Sequence, residues 1–278
     1  MATREEWIGR TGQEWARRSD ALDALLGPAG QAGLDALQAK PGMRILDLGC
    51  GAAASTATLA RAVGSGGKVT GIDVSPDLVK LARDRLNGVA NAAVIEADAQ
   101  EHDFPSGGFD ALFSRFGSMF FDDPPRAFAN LHRALAADAP MVVVAWRDVG
   151  RNQWASVPMT FVAQALPGTP LMGAPGPGPF AWADPATFRP LLEGAGFRDV
   201  QERAFDFAAE ISHGDDEEPL ERAVSFMVRI GPLASRLKDK SETAVEEAKA
   251  FLRHRLSRYV RDGTLRLQAS AWIIQARA

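Results

Sequence analysis

Between Met43 and Ala145 the chain alternates short apolar runs with helical ones, and this alternation restricts the fold more than any other feature. The apolar runs are nearly continuous, as strands are when both faces of a parallel sheet are covered. They read MRILDL, KVTGID, AAVIEA, FDALFS and MVVVAW. Helices are expected in the gaps, one starting near Ser55, one from Ser75 to Gly88 and one from Pro125 to about Ala136. The pattern predicts a doubly wound α/β fold.

Three regions are expected around this alternation. Residues 1–40 are predicted to be an N-terminal cover of two or three short helices, with breaks at Ser19 and at Gly27-Pro28. Residues 41–208 together with 264–278 are the predicted α/β core, with a seven-stranded, mostly parallel sheet. FRDVQERAFDFA supplies its sixth strand and TLRLQASAWIIQARA its last strand, which is expected to be antiparallel. Residues 209–263 are predicted to be a helical insertion before that last strand.

The composition narrows the class of protein. The chain has 278 residues, a net charge of -4 and scattered Lys and Arg, so nothing indicates a nucleic-acid partner. Its single cysteine excludes an internal disulfide and a cysteine-rich metal site, and no metal site is predicted. The N-terminal residues have no leader-like apolar segment, and no run of about 18 apolar residues predicts a membrane span. We therefore expect a globular cytoplasmic protein.

The segment ILDLGCG, which ends at Gly51, is predicted to be a strand that turns tightly and leads into a helix. Such a turn leaves backbone N–H groups pointing at whatever lies at the helix N-terminus, and Gly49 and Gly51 let a ligand approach the backbone closely. Asp47, just before the glycines, would repel a pyrophosphate. A carboxylate at this place favours a cationic ligand or one that carries an ammonium group.

Two further acids follow the next two strands. Asp73 ends the second strand, where a doubly wound fold has an acid that binds both ribose hydroxyls. Asp98 follows the third strand and could accept a hydrogen bond from an exocyclic amine, while the Ala99 backbone N–H could donate to a ring nitrogen. Together with Asp47, these residues predict an adenosine that carries an amino-acid-like tail instead of phosphates.

These motifs make the stretch from Met43 to Trp146 similar to the class I S-adenosylmethionine-dependent methyltransferases, in particular to the ubiquinone/menaquinone methyltransferase-like branch of small-molecule enzymes. The resemblance rests on LDLGCG, VTGIDVS, EADAQEHDFPSGGFD and the segment from Phe113 to Trp146. It implies a Rossmann-like methyltransferase fold and S-adenosyl-L-methionine as cofactor, with S-adenosyl-L-homocysteine as product. It also implies that the partner of the protein is a small-molecule methyl acceptor.

The resemblance assigns the methionine part of the cofactor to the first glycine motif, the ribose to the acid of the second strand and the adenine to the acid of the third strand. The cofactor-binding residues expected on this basis are Asp47, Gly49, Cys50, Gly51, Asp73, Val74, Asp98, Ala99, Ser114 and Arg115. One position departs from the family, because Ala53 stands where a third glycine is common. This difference puts glycine-like backbone geometry at position 53 in doubt.

The sequence does not identify a catalytic residue. Methyl transfer from a sulfonium is an in-line displacement that asks the protein mostly for alignment and for the exclusion of water. Of the four histidines, His213 is the one that could reach the cleft from the sixth strand, and it is the candidate for a general base. The other three are interpreted as surface or packing residues.

Substrate specificity is expected to come from parts outside the shared core. The aromatic side chains available for a pocket favour an apolar or aromatic acceptor. The predicted pocket residues are Trp15, Phe116, Phe120, Trp154, Phe180 and Trp182. We expect the 209–263 insertion to pack over the cleft with the N-terminal helices, closed by a loop at 166–183. The alternative is that the insertion forms a homodimer interface.

Two other functions stay open at this point. An NAD(P)-dependent oxidoreductase would share the sheet, but it would need glycines spaced for a pyrophosphate and a hydride-site pair such as Tyr-x-x-x-Lys. The single tyrosine, Tyr259, lies near the C-terminus instead. A non-catalytic cofactor-binding or interaction protein on the same fold would carry the same motifs without turnover. The sequence indicates neither the acceptor nor whether N, O, C or S is methylated.

Overall fold

A computed structural model describes residues 3–165, 176–215, 217–238 and 240–278, and the side chains at positions 161–163 and 165 are not described. The strands in these residues are β1 (Arg44–Leu48), β2 (Lys68–Asp73), β3 (Ala92–Glu96), β4 (Ala111–Arg115), β5 (Pro140–Trp146), β6 (Arg198–Glu210), β7 (Val260–Arg261) and β8 (Thr264–Arg277). The α-helices are α1 (Arg4–Ile8), α2 (Arg10–Arg17), α3 (Ser19–Leu37), α4 (Ala54–Val63), α5 (Pro76–Arg85), α6 (Pro124–Ala134), α7 (Gln153–Ala165), α8 (Pro185–Gly194), α9 (Pro219–Met227), α10 (Pro232–Leu237) and α11 (Glu242–Leu256).

The strands form one sheet in the order β3-β2-β1-β4-β5-β8-β6, and the two-residue β7 pairs with β8 beside it. Strands β1 to β5 pair in parallel, whereas β8 is antiparallel to both β5 and β6. The predicted doubly wound, mostly parallel sheet is therefore confirmed. Because parallel strands end at the same edge, Leu48, Asp73 and Arg115 come together at the carboxyl ends of β1, β2 and β4.

Local capping signals set where the helices of the core begin. The Ser75 side chain accepts the Leu78 N–H and Pro76 occupies the first turn of α5. Asp123 caps α6 in the same way by accepting the Arg126 N–H. No helix among the described residues combines the length and hydropathy needed to cross a lipid bilayer.

The N-terminal cover differs from expectation at one point. The predicted break at Gly27-Pro28 is wrong, because α3 runs through Pro28 without interruption. A proline inside a helix removes a backbone hydrogen bond and costs about 3 kcal/mol. The burial of the helix face that packs on β4, β5, β6 and β8 offsets this cost. The buried residues of α3 are Leu22, Leu25, Leu26, Ala29, Gly30, Gly33 and Leu37.

The segment between β6 and β8 is helical. It contains α9, α10 and α11, and α11 packs against α9 and α7. The buried residues of α11 are Ala248, Leu252 and Leu256. Strand β6 continues to Glu210, past the expected start of the insertion at 209, because Glu210 still pairs with Arg266 of β8.

The close fit of α3 on the sheet gives a stability test. A Cβ at Gly33 would lie 2.5 Å from Val144 Cγ2 and 3.1 Å from the Phe113 ring. We expect Gly33→Ala to lower the free energy of unfolding by about 1–3 kcal/mol, because the added methyl overpacks the core. The measurement is urea unfolding at constant pH.

Gly194, at the exposed end of α8, is the matched control, since a Cβ there meets nothing within 4 Å. Gly194→Ala should leave stability unchanged or raise it by up to about 1 kcal/mol. Equal effects of the two substitutions would contradict the packing described for α3.

Candidate active site

Backbone atoms of the turn after β1 pack directly against backbone atoms of the loop after β4. Gly49 has a φ of +62°, and a Cβ at this position would lie 2.8 Å from Gly117 Cα. The N–H groups of Gly49 and Cys50 both donate to the Ile72 carbonyl, at 2.9 and 3.1 Å. Only a residue without a side chain fits at position 49. The turn is thereby fixed between β2 and the loop that follows β4.

Asp47 lies beneath this turn and is fully buried. Its Oδ2 accepts hydrogen bonds from Ser55 Oγ and Thr56 Oγ1, each at 2.7 Å, and these bonds join β1 to α4. Its Oδ1 is buried and has no hydrogen-bond partner within the described ranges. Burial raises the pKa of the Asp47 carboxyl from 3.8 to about 6, and the hydrogen bonds from Thr56 and Ser55 oppose that rise.

Asp73 lies at the end of β2, beside the same turn. Its Oδ2 accepts the Gly51 N–H at 2.8 Å and its Oδ1 accepts the Ser75 N–H at 2.9 Å. Burial raises the pKa of this carboxyl, and the backbone hydrogen bonds from Ser75 and Gly51 oppose the rise. Because a carboxylate oxygen has two lone pairs, each oxygen can still accept one hydrogen bond from a ligand.

Asp73 lines a cavity of about 120 Å³ at the carboxyl ends of the strands, called here the smaller cavity. Asp98 and Asp122 also line it, and Asp98 forms an ion pair with Arg4 of α1, with 3.4 Å between Oδ2 and Nε. Neither Asp73 nor Asp122 has a cationic partner among the ion pairs of the described residues. The negative lining disfavours a phosphate and favours a positively charged ligand.

The remaining guanidinium in the lining is already neutralised. Arg115 reaches across to α3, where its Nη2 lies 2.8 Å from Asp23 Oδ1. The aliphatic part of Arg115 packs on Gly30, where a Cβ would lie 2.7 Å from Arg115 Cδ. Arg115 therefore lines the smaller cavity, but its charge is balanced by Asp23.

Most of the expected cofactor-binding residues come together in this place. Those that line the smaller cavity are Gly49, Gly51, Asp73, Val74, Asp98, Ala99 and Arg115. Asp47, Cys50 and Ser114 do not line it, and the expectation that they contact the cofactor stays a prediction. Their side chains make contacts in the protein interior. Asp47 accepts hydrogen bonds from two hydroxyls, Cys50 packs on Gly71, and Ser114 Oγ donates to the Leu48 carbonyl at 3.0 Å.

Two non-glycine residues near the site adopt left-handed backbone conformations. Ala53, at the N-terminus of α4, has a φ of +64°, so the glycine-like geometry placed in doubt by its methyl group is present. Phe116, directly after β4, has a φ of +60°. A bulky residue is rarely found in this region of φ, and such strain is concentrated at functional sites.

A cavity of about 790 Å³, called here the larger cavity, shares a wall with the smaller one. Residues that line both are Trp7, Trp15, Phe116, Phe120, Phe121 and Asp122. All six aromatic residues expected in a substrate pocket lie in the wall of the larger cavity. Of the loop expected at 166–183, residues 166–175 lie outside the described residues, while positions 176–182 line the cavity.

Stacked aromatic rings build one side of the larger cavity. Phe116 stacks on Trp146 with 4.1 Å between ring centroids, and Trp146 contacts Trp154 at 4.9 Å. Trp154 in turn stacks on Phe180 at 5.8 Å. Buried Asn152 orients this series, because its Oδ1 accepts the Trp154 Nε1–H at 3.2 Å.

None of the four histidines lies in the lining of the two cavities, all of whose lining residues belong to the described part of the chain. His213 is exposed, and its Nδ1 lies 3.6 Å from Glu210 Oε1. The structure therefore does not bring the candidate base to the cleft. His132 packs against Phe197, with 5.1 Å between ring centroids.

Sequence reasoning missed the contribution of α1 to the smaller cavity. Arg4 and Trp7 line the smaller cavity although they lie far from the motifs in the sequence. The Trp7 ring contacts Trp15 and Phe120, with centroids 5.0 and 5.1 Å away. The spacing of Trp7 and Trp15 was a signal for a shared apolar contact, but no local pattern indicates which strand end they cover.

Residues 45–138 match the family described as a methyltransferase domain. This stretch of the chain is similar to methyltransferase domains. The match spans β1 to the loop before β5, which is the part of the chain that forms the turn at Gly49 and the smaller cavity. The expected resemblance to the class I methyltransferases is thereby confirmed.

Curated relatives of the methyltransferase domain include enzymes named for quinone methylation. The chain is 34% identical over 119 residues to a 2-phytyl-1,4-naphtoquinone methyltransferase of a Nostoc species, which covers 42% of this chain and 52% of the relative. It is 31% identical over 114 residues to a ubiquinone/menaquinone biosynthesis C-methyltransferase of Shewanella halifaxensis, which covers 40% of this chain and 45% of the relative. The chain thus spans about half the length of these relatives.

Solved structures share the fold over most of the chain. The YcgJ protein of Bacillus subtilis has a TM-score of 0.56 at 16% identity and covers 90% of this chain and 98% of its own. The [4+2]-cyclase SpnF has a TM-score of 0.57 at 18% identity and covers 99% of this chain and 96% of its own. At such identities the likeness establishes the fold alone, and one fold supports different chemistries.

The methyltransferase domain fits the cofactor of its class, S-adenosylmethionine. The two Asp73 oxygens, each with a free lone pair, suit the two hydroxyls of a ribose. The carboxylates without cationic partners, Asp73 and Asp122, suit a sulfonium and an ammonium group. The contact between Gly49 and Gly117 keeps the floor of the smaller cavity free of side chains.

The raised pKa of Asp47 gives a test by pH. Because the folded state holds the proton more tightly than the unfolded chain, ionisation of Asp47 destabilises the fold as the pH rises past 3.8. A rise from 3.8 to about 6 corresponds to about 3 kcal/mol. From about pH 4 to pH 7, the wild type should lose roughly this amount of unfolding free energy relative to Asp47→Asn, measured by urea titration.

Asp110→Asn is a control for which the opposite dependence of stability on pH is expected. The hydrogen bonds from the Arg44 side chain lower the pKa of Asp110, so its stabilising effect is present at neutral pH and is lost as the pH falls below its unfolded value. The wild type should therefore gain stability relative to Asp110→Asn on going from acid to neutral pH. A difference between wild type and Asp47→Asn that does not change with pH would contradict the burial described for Asp47.

Proposed function

We propose that this chain transfers the methyl group of S-adenosylmethionine to a small, mostly apolar or aromatic molecule, with S-adenosylhomocysteine as the second product. The wall shared by the two cavities is the observation that carries this proposal. A donor in the smaller cavity and an acceptor in the larger one would face each other beside Phe116. The match of residues 45–138 to a methyltransferase domain supports the assignment of the smaller cavity to the donor.

The chain holds the donor through groups at the ends of three strands. Asp73 accepts hydrogen bonds from both ribose hydroxyls, and Val74 packs beside the ribose. Asp98 and the backbone of Ala99 bind the adenine, and the turn at Gly49 and Gly51 contacts the methionine tail. Asp47 acts from behind this turn, because its bonds to α4 hold the turn in place.

The side chains of α1 move when the donor binds. The smaller cavity, at about 120 Å³, is below the roughly 300–1,000 Å³ of typical ligand pockets. Arg4 and Trp7 line it. Arg4 forms an ion pair with the Asp98 carboxylate, which is the group that would bind the adenine. Displacement of Arg4 from Asp98 frees that carboxylate and enlarges the cavity from the N-terminal side.

The bound cofactor supplies an activated methyl group on a cationic sulfur. The protein contributes alignment of the acceptor for in-line attack and a cavity wall that excludes water. Rigid stacking of Phe116 on Trp146 fixes the wall at the point of transfer. An amine or thiolate acceptor needs no base, and for a hydroxyl or an acidic carbon the carboxylate common to both cavities, Asp122, is the base within the lining.

The rest of the proposal concerns the setting of the reaction. The net charge of -4 and the single buried cysteine support a protein of a reducing cytoplasm that does not act on nucleic acid. The helices between β6 and β8 supply residues of the larger cavity, among them Ile230 and Gly231, which supports their role in the substrate pocket. A homodimer through the outer face of these helices is compatible with that role.

The experiment that tests this function incubates the purified chain with S-adenosylmethionine and a panel of apolar and aromatic metabolites. Mass spectrometry should detect an acceptor that gains one methyl group, with an equal amount of S-adenosylhomocysteine. In Asp73→Ala the dissociation constant for S-adenosylhomocysteine should rise at least tenfold, because each hydrogen bond to a charged group contributes about 1.5–3 kcal/mol.

Two control variants accompany this experiment. Asp84→Ala removes an exposed carboxylate of the adjacent α5, and His213→Ala removes the histidine that lies outside both cavities. Both should bind S-adenosylhomocysteine like the wild type, as measured by calorimetry. Unchanged affinity in Asp73→Ala, or tighter binding of NAD or NADP than of S-adenosylhomocysteine, would overturn the assignment of the smaller cavity.

A further inference from the structure

Charged side chains interrupt the apolar wall of the larger cavity. Asp122 lies where the larger cavity adjoins the smaller one. The segment from Arg229, after α9, to Lys238, directly after α10, contributes Arg229, Arg236 and Lys238 to the wall. A molecule that fills the cavity therefore meets both a carboxylate and cationic side chains.

Two other carboxylates of this wall, Glu6 and Glu14, are engaged in ion pairs. Lys238 pairs with Glu6 of α1, with 3.1 Å between Nζ and Oε1. Glu14 of α2 is contacted by both Arg17 and Arg18, at 2.9 and 2.6 Å. Among the described residues of the lining, Asp122 is the carboxylate that these ion pairs leave without a cationic partner.

Two of these arginines have no counter-ion. Neither Arg229 nor Arg236 forms an ion pair or a side-chain hydrogen bond with the described residues. Arg229 lies close enough to Arg18 that its charge helps to lower the pKa of Arg18, after the larger effect of burial. Holding like charges together destabilises the free protein, and an anion bound at Arg229 would reduce its repulsion with Arg18.

We propose that the methyl acceptor is amphipathic, with an apolar or aromatic body and an acidic group that binds to Arg229 and Arg236 in the wall of the larger cavity. Guanidinium groups bind carboxylates and phosphates through paired N–H donors, so either anion fits. The apolar body lies against Trp154, Phe180 and Ile230, and its other end faces Phe116 and the donor. This inference rests on the proposed function for the direction of the acceptor, but not for its charge.

Calorimetry with matched naphthalene probes tests the acidic group. The probes are 2-naphthoate, 2-naphthyl phosphate and the neutral methyl 2-naphthoate, each titrated with and without S-adenosylhomocysteine. We expect at least one anion to bind about tenfold more tightly than the ester, because the anion forms ion pairs with two arginines and the ester forms none. The tighter of the two anions identifies carboxylate or phosphate as the group that is recognised.

The double variant R229Q/R236Q should abolish this preference for the anion and leave the affinity for the ester unchanged. R61Q is the matched control, since Arg61 is an exposed arginine of α4 that lines neither cavity. Equal binding of anions and ester to the wild type, or an anion preference that survives in R229Q/R236Q, would overturn the inference. Circular dichroism establishes that each variant is folded.

The same titrations separate this inference from the proposed function. If S-adenosylhomocysteine does not bind while the anion preference depends on Arg229 and Arg236, the proposed function fails and the anion site stands. If S-adenosylhomocysteine binds and the anions show no preference, the proposed function stands and the acidic acceptor is excluded.

Discussion

The bond between the buried carboxylate of Asp47 and the hydroxyls of Ser55 and Thr56 is the contact on which the site depends. It holds the end of β1 to the start of α4 and thereby fixes the turn at Gly49 between them. The turn then presents the Gly51 N–H to Asp73, which orients that carboxylate at the end of β2. Burial makes the charge on Asp47 costly, as its raised pKa shows, and the two hydroxyls reduce that cost.

Beyond this turn, the strand ends of the sheet and the helices around them line two adjoining cavities. The parallel strands bring carboxylates to one edge, where they suit a cationic nucleoside. The N-terminal helices and the helices before β8 then enclose an apolar space beside that edge. Trp7 lines both cavities. Under the proposed function, the position of α1 would therefore affect donor and acceptor together, and the N-terminal helices and the helices before β8 would distinguish one acceptor from another.

The sheet and much of the smaller cavity could be predicted from the sequence, because strands buried on both faces are read from local composition. Asp73 and Asp98 follow strands directly, so their meeting at one edge follows from the parallel order. Pro28 and Ala53 could not be placed correctly, since in each case tertiary packing overrides a local preference. Burial of α3 on the sheet tolerates the proline, and the tight turn holds Ala53 in a left-handed conformation.

Contacts between distant parts of the chain account for the other differences. The pairing of Arg4 with Asp98 and of Lys238 with Glu6 joins segments that no local pattern relates. Asp47, Cys50 and Ser114 carry the expected motif, yet their side chains face the interior, which a motif does not reveal. His213 follows β6 as expected, but the strand leads it to the surface beside Glu210 rather than to the cleft.

A crystal structure of the full chain with bound S-adenosylhomocysteine tests the central claim most directly. The account predicts both ribose hydroxyls within hydrogen-bond distance of Asp73, the adenine beside Asp98 in place of Arg4, and the sulfur facing Phe116 and the larger cavity. It would be contradicted by a nucleoside bound away from Asp73, or by a sulfur that faces away from the wall shared by the two cavities.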